Sequence, residues 1–419
     1  MNMKKILFLT WSYPNTLGSA TMLCTHRVMD CLASSGRFEV HALCCQYPKE
    51  TKDEMIGCIH VHRFKPSLWA QMRNSFQQNR KHQILNRICE VIQKAITIPI
   101  FPQTVPLTTK RYYHAAAKLQ KEKCFDLIVS EHHGLASLIT GCKLMKKYQG
   151  VRHIAIFWDP VKGQMATVKL PKSFTDRRIN EVEKFAAQYT TLQVSTLSMK
   201  TYHKEHGDIA ADHRIYLDIP SVLKPETEVP TQHLSLLKRE GINIVFSGLL
   251  SEYYRNALPI IKLLGQTEQA SKINMLFFSR GEKEPVEAAA RDFPGTIIYH
   301  DYIPLDELHT LYRHADYLLN VSHINANMVP SKIFEYMSYG KPVISTYVTD
   351  GDSAEKYVSR YSEGLCIDLK KADEDNVAAL NKFLSKEHRP VPFGEVKEEF
   401  KENTPEKYLE VIDDVVSHT

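Results

Sequence analysis

Residues 316–346 read DYLLNVSHINANMVPSKIFEYMSYGKPVIST, and this stretch contains the pattern that decides the fold class. The run DYLLNVS at its start and the run KPVIST at its end have the length and composition of buried strands. Between them, Ile333, Phe334 and Met337 have the spacing of one buried helix face, and Gly340 follows the helix. A buried strand, a helix and a second buried strand predict a parallel sheet covered by helices.

The same alternation occurs in both halves of the chain. In the first half, the short apolar runs ILFLT, FEVHALC, CIHVHRF, DLIVS, RHIAIFW and LQVST alternate with helical patterns. In the second half, the runs are NIVFSG, INMLFFS, TIIYHDYI, DYLLNVS, KPVIST and GLCIDL, with helices expected from about Arg255, Leu305 and Ser331. Both series predict α/β domains with a doubly wound parallel sheet.

The length of the chain indicates two such domains. Its 419 residues exceed what one hydrophobic core usually fills, which predicts two domains of roughly 200 residues each. Residues 220–232, PSVLKPETEVPTQ, have the composition of a linker. We therefore expect an N-terminal Rossmann-like domain over residues 1–222 and a C-terminal Rossmann-like domain over residues 223–400. Residues 401–419 are expected to form an amphipathic helix that packs back across the domains.

Composition limits the class of protein and its location. The chain is 43% hydrophobic and 24% charged, which is typical of globular proteins and excludes disordered and membrane-spanning classes. The first apolar run ends at Tyr13, too early for a signal peptide. Nine cysteines without a CxxC pair indicate reduced thiols. These features predict a cytoplasmic protein, and no nucleic-acid partner is expected.

Positive charge is concentrated in residues 63–111. Nine Lys and Arg residues accompany a single Glu there, although the whole chain has a net charge of only +5. Apolar side chains lie at near-helical spacing in the same window: Trp69, Met72, Phe76, Ile84, Ile88, Val91 and Ile92. A basic amphipathic helix of this kind supports the hypothesis of a peripheral contact with the anionic inner face of the cell membrane. A solvated helix packed on the core would have the same pattern.

Ser331, Lys332 and Glu335 form the main candidate binding site. A helix that begins at Ser331 presents free backbone amides, which bind a pyrophosphate, and Lys332 adds a full positive charge. Glu335 is one turn further along on the face that Ser331 shares, where a carboxylate can accept hydrogen bonds from both vicinal hydroxyls of a ribose. Without such a ligand, Lys332 and Glu335 would be ordinary surface residues.

Residues 330–345, PSKIFEYMSYGKPVIS, resemble the signature of retaining glycosyltransferases of the GT-B fold, family four, especially members that act in bacterial polysaccharide assembly. The resemblance covers most of the chain and is tight over residues 305–345. It implies two Rossmann-like domains facing across a cleft, and it implies that Glu335 binds the ribose of a nucleotide diphosphate sugar. Asn327 stands where the family often has a second glutamate, which faces the donor sugar. Asparagine can hydrogen-bond a sugar hydroxyl but carries no charge.

A second segment, NIVFSGLLSEYYRNA, resembles the strand and loop that bring cations onto the donor diphosphate in this family. Gly248 matches the tight turn of that loop. Leu249 stands where an arginine is often found, which leaves Arg255 as the candidate cation, with a bidentate grip on phosphate. An ordinary arginine at a helix start is the alternative. The resemblance also implies that Tyr302 and Ile303 lie near the base of the nucleotide.

In the first domain, Gly18 and Ser19 lie in the turn SYPNTLGSA, directly before a predicted helix. A glycine there lets the backbone approach a phosphate closely. The resemblance implies that this loop closes over the donor diphosphate and the acceptor. A bare turn is the alternative.

Three polar residues follow the strand DLIVS, and one follows the next strand: Glu131, His132, His133 and Asp159. The carboxyl ends of parallel strands are where open sheets bind ligands. The resemblance implies a histidine close to the transferred sugar, and a histidine can share a proton with a sugar hydroxyl near neutral pH. We predict that His132 or His133 is this histidine and that Glu131 and Asp159 lie on the acceptor side. Asp159 could instead cap the loop before Pro160.

Together these features predict an enzyme that moves a hexosyl group from a nucleotide diphosphate sugar to a hydroxyl of a saccharide or lipid-linked saccharide, with retention at the anomeric carbon. Cations and helix amides would stabilise the leaving diphosphate. No cofactor beyond the nucleotide sugar as co-substrate is expected, and no metal, because no DxD-type carboxylate pair stands at a strand end in a convincing context.

Other readings of the sequence stay open. An inverting transferase or a sugar-nucleotide epimerase would need a base, which Glu131 or His132 could supply. A catalytically inactive partner subunit that binds nucleotide sugar is suggested by Asn327 and Leu249. A dinucleotide oxidoreductase is disfavoured, because no GxGxxG follows a predicted strand.

Overall fold

The computed structural model describes residues 3–13, 20–47, 50–68, 71, 88–89, 91–92, 95–103, 107–132, 135–159, 161, 170–197, 199–324 and 329–417. The chain forms two compact units. Unit 1 comprises Met1–Pro220 and Pro405–Thr419, and unit 2 comprises Ser221–Thr404. The sequence placed the domain boundaries after residues 222 and 400. The structure divides the chain after Pro220 and Thr404.

Unit 1 is built on one sheet of eight described strands in the order β3-β4-β2-β1-β5-β6-β7-β8. Neighbouring strands are parallel except for β3 and β4, which are antiparallel. The strands are β1 (Lys4–Leu9), β2 (Phe38–Cys45), β3 (Asp53–Ile56), β4 (Ile59–Phe64), β5 (Leu127–Glu131), β6 (Arg152–Phe157), β7 (Leu192–Thr196) and β8 (Arg214–Leu217). Every residue of β5 is buried, as is typical of a strand inside a sheet covered on both faces.

Five helices accompany this sheet before residue 220 in the described residues. They are α1 (Ala20–Ser34), α2 (Thr108–Lys123), α3 (Ala136–Lys147), α4 (Lys172–Gln188) and α5 (Met199–His206). As the sequence predicted, α1 is followed by Gly36, whose φ of 68° is in the left-handed region that favours glycine.

Unit 2 has a fully parallel sheet of six described strands in the order β11-β10-β9-β12-β13-β14. The strands are β9 (Ile242–Gly248), β10 (Ile273–Ser279), β11 (Thr296–His300), β12 (Tyr317–Asn320), β13 (Val343–Tyr347) and β14 (Gly364–Asp368). Its helices are α6 (Leu258–Gly265), α7 (Glu284–Ala289), α8 (Leu305–His314), α9 (Lys332–Ser338), α10 (Ser353–Val358), α11 (Asp373–Leu384) and α12 (Phe393–Glu399). The six apolar runs of the second half each overlap one of these strands.

Two helix predictions in this part of the chain were wrong in their bounds. The helix expected from Arg255 begins instead at Leu258, because Arg255 pairs its backbone with Ser251 in the loop before it. The helix expected over residues 401–419 is α13 (Pro405–Ser417), and residues 401–403 form a separate 3₁₀ turn before it. Pro405 begins α13, since proline is accepted at a helix start but not in a helix interior.

The C-terminal helix α13 returns to unit 1 and packs on α1. Tyr408 is fully buried, and its hydroxyl donates a hydrogen bond to the Asp218 carbonyl oxygen at 2.9 Å. Its ring centroid lies 5.7 Å from that of Trp158. Arg37, just after α1, contacts Asp413 at 2.7 Å. The last helix is therefore an integral part of unit 1.

The segment with linker composition is fixed onto α8 inside unit 2. The Val229 amide donates to Thr310 Oγ1 at 3.0 Å, and Thr310 Oγ1 donates to the Val229 carbonyl at 3.0 Å. Further along, His233 Nδ1 lies 2.9 Å from Glu307 Oε2. Proline and charge therefore mark an ordered connection here, because the side chains of α8 bind its backbone.

Each sheet has one position where the strand order reverses, and ligands of open parallel sheets bind at the carboxyl ends beside it. In unit 1 this position is between β1 and β5, and in unit 2 it is between β9 and β12. Among the helices that the structure describes, none combines the length and apolar composition needed to cross a membrane.

Candidate functional site

Glu335 lies on α9, which follows β12 at the reversal point of unit 2, and it is 9% exposed. Its Oε2 is 3.2 Å from Lys332 Nζ, and its Oε1 is 3.2 Å from His309 Nε2. His309 also approaches Glu226 Oε2 through Nδ1, at 3.4 Å. The carboxylate is thus buried between two nitrogen donors instead of projecting into solvent, and its oxygens are held in a defined direction.

A tyrosine–serine cluster, formed by Ser247, Tyr312 and Tyr336, adjoins this carboxylate. The Tyr312 hydroxyl accepts a hydrogen bond from Lys332 Nζ at 3.2 Å and also contacts Ser247 Oγ. The Ser247 amide donates to the Tyr336 hydroxyl at 3.2 Å. Burial raises the pKa of Tyr312 well above its ordinary value, so the phenol stays protonated. The cluster fixes Lys332 against the end of β9.

Arg255 approaches the same cluster. Burial lowers the pKa of its guanidinium, and the nearby Tyr336 and Tyr302 act in the opposite direction. Its buried Nε has no hydrogen-bond partner among the described residues. A Cβ added to Gly248, where φ is 153°, would lie 3.4 Å from Arg255 Nη1. The guanidinium therefore lies against this glycine, and its Nε retains unused hydrogen-bonding capacity among the described residues.

Tyr302 and Ile303 lie in the loop after β11, at the same edge of the sheet. Tyr302 is 40% exposed, and the Arg280 guanidinium lies over its ring, 4.7 Å from the centroid. Ile303 is half-buried. A planar, exposed aromatic ring and an arginine at a strand end can hold a flat heterocycle.

Ser331 precedes the first turn of α9 and makes no capping hydrogen bond with its side chain. The helix ends at Ser338 and, as the sequence predicted, Gly340 follows it, with a φ of 67°. A Cβ at Gly340 would lie 2.4 Å from the Val391 carbonyl oxygen. Glycine is needed here both for the left-handed backbone and for the close approach of another segment.

Glu131, at the carboxyl end of β5 in unit 1, is 1% exposed. Its Oε1 accepts hydrogen bonds from Thr10 Oγ1 at 2.8 Å and from the Trp11 amide at 3.1 Å, and its Oε2 accepts from Thr25 Oγ1 at 2.8 Å. Trp158 Nε1 in turn donates to Thr25 Oγ1 at 3.0 Å. Both carboxylate oxygens are therefore engaged within unit 1, where they tie the end of β1 to α1.

The other unit 1 candidates have different surroundings. His132 is fully buried, with its ring centroid 5.5 Å from that of Phe157. Asp159 is half-buried, two residues after the end of β6. Gly18, Ser19, His133 and Asn327 lie outside the described residues. Leu249 is 57% exposed.

Unit 2 therefore brings Gly248, Arg255, Lys332 and Glu335 to the reversal point of one sheet. Sequence reasoning missed four contributors to this arrangement: Ser247, His309, Tyr312 and Arg280. The three-residue spacing of His309 and Tyr312 on α8 was a usable signal, because it puts both side chains on one helix face. Among the described residues of unit 2, no three His, Cys, Asp or Glu side chains are close enough to hold a metal ion together.

Comparison with known proteins assigns a class to the domain that contains this arrangement. Residues 241–386 match the family model described as "Glycosyl transferases group 1". Unit 2 therefore contains a glycosyltransferase group 1 domain. No curated protein matched the chain in a search of sequences.

Solved structures resemble the chain over nearly its whole length. Sucrose-phosphate synthase from Thermosynechococcus elongatus aligns with a TM-score of 0.66 and 11% identity, covering 99% of this chain and 100% of that one. Anabaena HepE in complex with UDP and glucose has a TM-score of 0.61 and 12% identity, with coverage of 98% and 100%. WaaG, a glycosyltransferase involved in lipopolysaccharide biosynthesis, has a TM-score of 0.56 and 13% identity, with coverage of 97% and 99%.

At these identities the likeness shows the fold. The chain is an α/β protein with two parallel-sheet domains of the kind found in GT-B glycosyltransferases, which confirms the predicted fold class.

Proposed function

We propose that this protein transfers a hexosyl group from a nucleotide diphosphate sugar to a hydroxyl of a saccharide or lipid-linked saccharide, with retention at the anomeric carbon. The observation that carries the proposal is the buried carboxylate of Glu335, held by Lys332 and His309 in the glycosyltransferase group 1 domain. A carboxylate fixed in this way can accept hydrogen bonds from both hydroxyls of a ribose diol. One structural relative supports the donor class, since HepE was solved with UDP-glucose.

The cations near Glu335 suit the diphosphate of such a donor. Lys332 donates a hydrogen bond to Tyr312 of the tyrosine–serine cluster, and the Arg255 guanidinium lies beside Gly248, the residue after Ser247. Negative charge that develops on the leaving diphosphate would be stabilised by these prearranged groups, without a side-chain nucleophile. The guanidinium of Arg255 can donate two parallel hydrogen bonds to a phosphate. We propose that the reaction needs no metal and no cofactor besides the nucleotide sugar.

The alternatives that use Glu131 as a base receive less support. A general base must reach the proton that it removes, and both oxygens of Glu131 already accept hydrogen bonds inside unit 1. The inverting and epimerase readings therefore rest on His132, which is fully buried. Proton coupling at the anomeric carbon of the product tests retention directly, and an inverted product would overturn that part of the proposal.

A thermal-shift screen of UDP-, GDP- and ADP-sugars tests donor binding. A ligand at a hundred times its dissociation constant stabilises the folded protein by about 2.7 kcal/mol, so one nucleotide should raise the melting temperature clearly. Glu335→Ala should abolish that shift and the turnover of labelled donor. Glu374→Ala, which removes an exposed carboxylate elsewhere in unit 2, is the matched control and should keep both. Turnover that survives in Glu335→Ala would overturn the assignment of the ribose site.

We further propose that the basic window, residues 63–111, contacts an anionic membrane surface that carries a lipid-linked acceptor. Among the described residues of this window, six aliphatic side chains are more than 40% exposed: Leu68, Ile88, Val91, Ile92, Ile96 and Leu107. Exposed aliphatic groups beside basic residues favour binding to anionic bilayers. Sedimentation with vesicles of phosphatidylglycerol and phosphatidylcholine should show binding that Lys65→Glu/Lys110→Glu weakens. Binding that is unchanged in this double variant would remove the membrane proposal without affecting donor binding.

A further inference from the structure

A histidine cluster on the sheet of unit 1 has no part in the proposed reaction. Glu39 and His41 lie on β2, and His60 and His62 lie on the neighbouring parallel strand β4. His41 is directly opposite His60 in the register, and His62 is two residues further along. Because side chains alternate between the faces of a strand, all four project from the same face of the sheet.

Short contacts join these side chains into a chain. His41 Nε2 is 2.8 Å from Glu39 Oε1, and His41 Nδ1 is 3.0 Å from His62 Nε2. His62 Nδ1 is 2.8 Å from Asp53 Oδ1 on β3. The ring of His60 stacks on that of His41, with 4.5 Å between the centroids. The side chain of His41 is fully buried, whereas Glu39 and His60 are half-exposed.

The hydrogen bonds of this chain require one proton more than two neutral imidazoles carry. Each carboxylate accepts only, so His41 Nε2 and His62 Nδ1 must both be protonated. The remaining contact, between His41 Nδ1 and His62 Nε2, then needs a third proton. A cation bound at His41 Nε2 in place of its proton leaves the ring's remaining N–H for that contact.

We propose that Glu39, His41 and His60 bind a divalent transition-metal ion of the zinc class, which links β2 to β4. Their ligand atoms all lie within 4.8 Å of one another. Ligand atoms at about 2.0–2.2 Å from a tetrahedral zinc ion would be separated by roughly 3.3 Å, so side-chain movements of about 1–2 Å bring them onto one ion. Two histidines and one carboxylate are a ligand set that zinc accepts.

The surroundings of His41 match those of a histidine that ligates a metal. Such a histidine usually donates its second ring N–H to a carboxylate, a backbone carbonyl or a water, and here the ring of His62 takes the place of that acceptor. When the ion takes the place of the proton between Glu39 and His41, His41 Nδ1–H donates to His62 Nε2, and His62 Nδ1–H donates to Asp53. Each of these two contacts then has its own hydrogen.

The positive charge of Lys5 lies close to the proposed zinc site, and the position of the site in the sheet limits what the ion can do. Lys5 Nζ lies 3.8 Å from Glu39 Oε2, so the ion uses the oxygen that faces His41. The Phe125 ring packs against His41 at a steep angle, with 5.0 Å between the centroids, and supplies no ligand. Glu39 and His60 are each the second residue of their strand, near the amino ends and not at the carboxyl ends where parallel sheets bind substrates. The ion therefore links β2 to β4 near their amino ends and takes no part in sugar transfer.

Calorimetric titration of the full chain with Zn²⁺ tests the site. The wild type should bind one ion at this cluster, and His60→Ala or Glu39→Gln should weaken this binding at least a hundredfold. Both residues are half-exposed, so these variants keep the core intact, which circular dichroism checks. His62→Ala removes only the supporting contact and should weaken binding about 10–100-fold.

His314→Ala is the matched control, because it removes a partly exposed histidine that contacts Glu228 far along the chain. It should bind zinc like the wild type. The Co²⁺-loaded protein should show the visible bands of nitrogen and oxygen ligands, without charge transfer from a thiolate. Equal binding by the wild type, His60→Ala and Glu39→Gln would overturn the proposal, and so would a thiolate spectrum, since that would assign the ion to the free cysteines.

Discussion

His309 Nε2 lies 3.2 Å from Glu335 Oε1, although the two residues come from different helices and are separated by 26 positions. The contact joins α8 to α9 at the end of β12. Because Lys332 binds the other oxygen of Glu335, the carboxylate is oriented before any ligand arrives. A ligand that uses Glu335 then loses less conformational entropy on binding.

His309→Ala should reduce both stability and donor affinity. The variant leaves the Glu335 carboxylate, which is 9% exposed, with fewer hydrogen-bond partners. An unsatisfied buried polar group costs about 1–3 kcal/mol. Urea unfolding should show a loss of this size, and titration with the donor identified in the screen should show weaker binding. His314→Ala, at an exposed ion pair on the same helix, should change stability by less than about 0.5 kcal/mol. Equal effects of the two variants would contradict the structural role of His309.

Arg255→Met should affect stability and binding in opposite directions. Arg255 has a buried Nε without a hydrogen-bond partner among the described residues, so an apolar side chain of similar length removes a desolvation cost. We expect the ligand-free protein to gain about 1 kcal/mol, within the range for such replacements. Nucleotide sugar should bind at least tenfold more weakly, a loss of about 1.4 kcal/mol.

Two further variants give this comparison its controls. Arg255→Lys keeps the charge but loses the planar fork of donors, so its binding should lie between those of the wild type and Arg255→Met. Arg239→Met removes an exposed arginine and should change neither quantity. Destabilisation of Arg255→Met together with undiminished nucleotide binding would show that the arginine is only structural.

Glu131→Gln should destabilise unit 1. The carboxylate accepts three hydrogen bonds. The side-chain amide of glutamine has only one acceptor oxygen, and its NH2 group would face a protein group that itself donates a hydrogen bond to Glu131. We expect a loss of about 2–4 kcal/mol, since hydrogen bonds to a charged group contribute more than neutral ones. Denaturant unfolding measures it. A variant that keeps full stability but has a raised KM for acceptor would instead support the acceptor role predicted from the sequence.

The stability of unit 1 should fall as the pH falls from about 6.5 toward 4. The buried ring of His153 contacts Ser130 Oγ at 2.7 Å and the Tyr189 carbonyl oxygen at 2.8 Å. Burial lowers the pKa of this histidine to about 4. Between the folded and unfolded pKa values the unfolded chain binds more protons, so each such histidine contributes a slope of up to about 1.4 kcal/mol per pH unit.

His153→Asn should lower stability at pH 7 and make its pH dependence shallower, as urea unfolding at pH 7 and pH 5 would show. The replacement also removes the ring that a Cβ on Gly141 would touch, at 2.3 Å from Nε2. His114→Asn, at an exposed histidine on α2, should keep the wild-type slope. A wild-type slope in His153→Asn would mean that the ring is charged in the folded protein.

Much of the fold was accessible from local patterns. Apolar runs such as NIVFSG and DYLLNVS are strands because their residues are buried on both faces of a parallel sheet, and this requirement is visible in a few neighbouring residues. Gly340 ends α9 for a reason that is local in part, its left-handed backbone. The second reason, the approach of Val391 within 2.4 Å of the position of a Cβ, depends on a segment 51 residues away, which no local pattern contains.

The sequence by itself determined the two α/β domains, the positions of nearly all strands, and the concentration of candidates around Ser331 to Glu335, because helix and strand periodicity and turn residues act over a few positions. Only the tertiary structure decided that Lys332 turns inward, that His309 and Tyr312 join it, and that Glu131 is engaged at the end of β1. It alone brought His41 and His60 together. These relationships depend on which strands and helices become neighbours, and the packing of the whole domain selects those neighbours.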